Sequence, residues 1–100
     1  MFIHSVYYWM KPGRSAEEVQ QFCRGLESLT KIKSVRHGFF GKPAVTDRPV
    51  IDRTYSYGLV VIFDDIAGHN AYDADPVHTR FRESFGSWSQ IKIYDFEGDQ

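Results

Sequence analysis

The chain has one cysteine, four prolines, little excess charge of either sign and no apolar run long enough to span a bilayer. With Cys23 alone, no disulfide closes within the chain. This excludes a small secreted fold stapled by disulfides and fits a reducing cytoplasm. The opening MFIHSVYYWMKPG has no basic segment followed by a long apolar one, so no signal peptide is expected. Twelve Lys and Arg are spread among thirteen Asp and Glu, for a formal charge of −1. Without a basic cluster the surface has nothing to track phosphates, which argues against nucleic acid as a partner. No HExxH, CxxC, GxSxG or phosphate-loop pattern occurs, and no glycine-rich turn opens a helix in the dinucleotide-binding manner.

What is there is aromatic. Phe, Trp and Tyr make up 16% of the chain, yet mean hydropathy is only −0.41. The apolar mass therefore sits in large rings, and the tyrosines and tryptophans among them need a polar partner when buried. The length of 100 residues suits one domain, and residues 1–100 show no linker, repeat or low-complexity stretch. A chain this short buries roughly 60–65% of the surface its unfolded form exposes. Association with a second copy is a common remedy for so thin a margin.

Residues 2–10 are β-branched and aromatic and predict a strand. Phe2, His4, Val6, Tyr8 and Met10 share one face, and Ile3, Ser5, Tyr7 and Trp9 the other. After a Lys11–Arg14 turn, Ser15-Ala16-Glu17-Glu18 reads as a capping box. Val19, Phe22, Cys23, Leu26 and Leu29 then follow at helical spacing. Residues 35–41 predict a second strand, 42–53 a loop whose Val50-Ile51 pair is expected to pack, and 54–63 a third strand. Asp64 and Asp65 cap a short helix over 66–74, which Asp75-Pro76 breaks. A further helical segment over 77–85, a strand over 91–96 and a frayed tail over 97–100 complete the chain. The order matches the split β-α-β-β-α-β, ferredoxin-like α+β arrangement. Strands one and three are apolar on both faces, so helices on one side leave an apolar sheet face, and a homodimer is expected to cover it.

The stretch Tyr72-Asp73-Ala74-Asp75-Pro76-Val77-His78-Thr79-Arg80-Phe81 is the most distinctive. Proline restarts a helix there, and His78 falls in its first turn. A histidine and a phenol within reach of one ligand can serve as base and hydrogen-bond donor. Asp75 and His78, three apart, could share an ion, yet two ligands are too few for a structural zinc site. His37 and His69 are expected at the surface or in packing, Cys23 as a small hydrophobe, and Arg80 and Arg82 on a solvated face.

These stretches resemble the stress-responsive dimeric A/B barrel family, called Dabb. The resemblance rests on His4-Ser5-Val6, Leu26-x-x-Leu29, Tyr72…Asp75-Pro76-x-His78…Phe81 and Tyr94-Asp95-Phe96-Glu97, and it runs through essentially the whole chain. It implies a ferredoxin-like fold and a homodimer whose sheets enclose a barrel. Most members have no assigned activity, and one plant member is a polyketide cyclase that works without a cofactor. By this resemblance Tyr72 and His78 correspond to its catalytic pair, and His4 to a pocket-lining, ligand-binding histidine. The family often carries histidine where this chain has Asp75. That carboxylate would either raise the pKa of His78 or cap the new helix. Two functions remain open: a small-molecule pocket with cofactor-free carbonyl chemistry, or a non-catalytic dimer whose pocket is filled by Tyr8, Tyr55, Tyr57, Phe63 and Trp88.

Overall fold

Strand alternation decides which side chains reach the interior. In the computed structural model, which describes residues 1–99, β1 (Phe2–Met10) buries Phe2, His4, Val6 and Tyr8. There follow α1 (Ala16–Thr30), β2 (His37–Gly41), β3 (Tyr57–Phe63), α2 (Ile66–Ala74), α3 (Pro76–Phe85) and β4 (Ser89–Glu97). The strands form one sheet in the order β2-β3-β1-β4, with every neighbouring pair antiparallel. The fold is ferredoxin-like α+β, with β1 at the centre and β4 on an edge.

The capping box is formed at the start of α1. Ser15 Oγ accepts from the Glu18 N–H at 3.1 Å, and the Glu18 carboxylate accepts from the Ser15 N–H at 2.9 Å. Phe22, Leu26 and Leu29 are the buried face of this helix. Each such side chain contributes about 1.5–3 kcal/mol by leaving water. α1 comes close to α3 at Gly25, where an added Cβ would lie 2.7 Å from Phe85 Cε2.

Strand ends differ from the sequence reading for local reasons. β3 begins at Tyr57, not Thr54, because Asp52 Oδ1 accepts from both the Thr54 N–H at 2.8 Å and its hydroxyl at 2.6 Å. The chain bends there, and Tyr55 leaves the Tyr57–Leu59–Val61–Phe63 face to lie against Tyr7 and Trp9. β2 begins at His37, since the Val35 N–H donates to the Ile32 carbonyl at 2.9 Å in a turn. β4 is longer than expected because Ser89 and Gln90 pair with Met10 and Trp9, and Glu97 with Phe2. The expected tail thus begins inside the strand, and Gly98 still donates its N–H to the Met1 carbonyl at 2.8 Å; Gln100 lies outside the described residues. Val50, expected to pack, is 80% exposed.

Between α2 and α3 the backbone of Asp75 is extended, with ψ 139°. Its carboxylate accepts from the Val77 N–H at 2.8 Å, and Pro76 occupies the first turn, which lacks intrahelical acceptors in any case. Beyond the helices, Ile91 and Ile93 of β4 are 56% and 45% exposed. On the opposite sheet face Tyr7, Trp9, Tyr55, Tyr94 and Phe96 line an open depression of about 420 Å³. No helix among the described residues is long and apolar enough to cross a membrane.

Candidate functional site

A cavity of about 300 Å³ lies between β1 and β4 on one side and α2 and α3 on the other. His4, Tyr72 and His78 all line it, beside the apolar walls of Val6, Phe81 and Ile93. β1 brings His4, the last turn of α2 brings Tyr72, and the first turn of α3 brings His78. The Tyr72 ring is fully buried, 4.8 Å from the His78 ring and 5.9 Å from that of His4.

His78 has a side chain only 14% exposed. Its Nδ1 is buried with no hydrogen-bond partner among the described residues. Burial holds its pKa below the ordinary 6.5, although Asp73 Oδ1, 3.7 Å from Nε2, pulls the other way. The neutral imidazole, the form able to accept a proton, is thus favoured by burial. Burial pushes the Tyr72 phenol well above its usual range, so it stays protonated and able to donate. His4 Nδ1 stands 2.5 Å from Asp95 Oδ1, its direct partner across the β1–β4 ladder. Burial lowers the His4 pKa, and the bond to Asp95 only partly opposes this.

The carboxylate beside His78 is Asp73 rather than Asp75, whose Oδ1 accepts from the Val77 N–H of its own helix. Arg82 is exposed, as expected, with Nη1 3.8 Å from Asp73 Oδ1 at the cavity wall. His37 is exposed. His69 packs, one of the two places expected for it, with its ring 5.0 Å from that of His4 and 4.8 Å from that of Phe2. Tyr8, Tyr57 and Phe63 are buried under the helices, Trp88 packs on Phe85, and Tyr55 lies on the other sheet face. The placement of Asp73 beside His78, and of Asp95 and His69 beside His4, was not legible in the sequence. The signal for Asp95 was the pairing register, which places it opposite His4.

A ferredoxin-like α+β chain with a small cavity roofed by a proline-broken helix pair is the class these features define. The Stress responsive A/B Barrel Domain matches residues 2–98, and the chain belongs to that Dabb family. Its fold is similar to a Dabb family protein from Mesorhizobium loti, at 22% identity and TM-score 0.78, covering 99% of this chain and 97% of the other. A dimeric ferredoxin-like protein of unknown function from Thermobifida fusca is 18% identical with TM-score 0.77, covering 95% and 88%. The hydroxynitrile lyase of Passiflora edulis is 19% identical with TM-score 0.77, covering 95% and 90%. No curated protein matches the chain.

Proposed function

We propose that this chain is a one-domain cytoplasmic homodimer that binds a small carbonyl-bearing, partly aromatic metabolite beside His4, Tyr72 and His78, and acts on it without a cofactor. The observation that carries this reading is the His78 imidazole and the Tyr72 phenol, ring centroids 4.8 Å apart, on the wall of one cavity. His78 takes a proton from the carbon next to a carbonyl, and Tyr72 donates a hydrogen bond to the enolate oxygen as charge develops there. The enolate carbon then attacks a second carbonyl of the same molecule. One C–C bond forms, and the proton held on His78 goes to the new alkoxide, as in a polyketide-type cyclisation. Apolar walls keep water from quenching the enolate. The cavity, at about 300 Å³, is at the small end of the usual range for ligand sites.

The dimer is supported by the outer sheet face, where the exposed rings of Tyr94 and Phe96 stand beside Tyr7 and Trp9, and by relatives described as dimeric. The lone Cys23 supports a reducing compartment.

The test is a thermal-shift screen of phenolic acids, β-keto acids and small lactones against wild type, His78→Ala and Tyr72→Phe. A compound that raises the wild-type melting temperature but not that of His78→Ala is the expected result. Its cyclisation or proton exchange should slow by about 10²–10⁴-fold in that variant. No shift and no turnover with any compound would instead favour a non-catalytic, stress-related dimer.

A further inference from the structure

We propose that His4, His69 and Asp95 form a binding site for one divalent transition-metal cation. Three elements converge there, β1, α2 and β4, and one ligand atom from each residue lies within 4.8 Å of the others. Two imidazoles and one carboxylate suit zinc, cobalt, nickel or copper, whereas calcium and magnesium prefer oxygen alone.

His4 Nδ1 and Asp95 Oδ1, at 2.5 Å, share one proton. A cation takes the place of that proton. The two atoms then spread to roughly 3.3 Å, the separation that bonds of about 2.0–2.2 Å impose in a tetrahedron. His69 closes in as the third ligand. His4 is buried, His69 half-buried and Asp95 exposed, so the closing movement falls on the two outer side chains and the ion has an entry path. The His69 ring is already held against Phe2 and Phe63. Its Nδ1 lies 3.2 Å from Asn70 Oδ1, the kind of outer partner that orients a ligating imidazole. Three protein ligands leave a coordination position open, unlike a closed structural site. His4 also lines the cavity, so the ion stands at the cavity's edge. Binding releases the proton between His4 and Asp95 and requires a neutral His69, so affinity falls in acid.

The experiment titrates chelator-treated protein with zinc by calorimetry and with cobalt by visible absorption. One ion per chain is expected, with cobalt d–d bands and proton release that differs between buffers. His69→Ala and Asp95→Asn should each weaken binding at least about tenfold, and His37→Ala, at an exposed histidine, should not. Absence of binding, or binding equally strong in His69→Ala and Asp95→Asn, overturns the site. The small-molecule screen is run in chelator, so its outcome is independent of this one.

Discussion

The rings of Tyr72 and His78 meet edge to face at 4.8 Å although each belongs to a different helix. In one unbroken helix six residues advance about 600°, which would leave the two side chains roughly 120° apart. The extended backbone of Asp75 and the restart at Pro76 fold them onto one face. The break in the helix is thus what assembles the pair.

Two neighbouring aspartates should therefore separate cleanly by substitution. Asp73 raises the His78 pKa against burial, so Asp73→Asn should lower it further, as read from the imidazole resonances by NMR. Asp75→Ala removes the cap of α3 and should cost about 1 kcal/mol of stability, with the direction of the His78 shift unchanged.

Stability should fall in mild acid. Burial lowers the His4 and His78 pKa values below 6.5, so the unfolded chain binds these protons more readily than the folded one. Stability then rises with pH up to about 6.5, and is lost as pH falls through that window. Urea unfolding at about pH 5.5 should show a lower midpoint than at about pH 7.5, and His78→Gln should narrow the gap. Asp52, Asp64 and Glu18 have lowered pKa values and add their own losses only in stronger acid.

Gly25 of α1 faces the aromatic side chains of α3. Its added Cβ would stand 2.7 Å from Phe85 and 3.0 Å from Phe81. Gly25→Ala gains helix propensity but crowds this aromatic cluster, and overpacking of this kind costs about 1–3 kcal/mol. A net loss of stability is expected in denaturant titration; a gain would show that the rings move aside freely.

The outer sheet face should hold two copies together. Light scattering at micromolar concentration is expected to give twice the chain mass of 11.6 kDa. Tyr94→Asp, which puts a charge on that face, should shift the population to monomer. A monomeric wild type would remove the dimer from the proposal.

Much of the fold was legible because its signals are local. The Ser15–Glu18 capping box, the alternation of Phe2 through Met10 and the Asp75-Pro76 break each depend on residues adjacent in sequence. The site was legible only in part. Tyr72 and His78 stood out because they flank the break, and His4 through its family position. Asp95 and His69 join His4 only through strand register and the seating of α2, to which neither residue's own neighbours point. The departure of Tyr55 from the face of Tyr57 was likewise hidden, because it depends on the Asp52 carboxylate accepting from the Thr54 N–H and hydroxyl and so delaying the strand to Tyr57.

β4 is one residue thick and serves two surfaces. Ser89, Ile91 and Ile93 border the cavity, while Lys92, Tyr94 and Phe96 border the opposite depression. Point substitutions at alternate positions can thus drift independently, each set answering to its own surface. An insertion or deletion of a single residue early in this strand would exchange the two sets at one stroke, putting Tyr94 under the helices and Ile93 outside. Lineages that descend from this chain should accordingly change β4 freely by replacement while conserving its length.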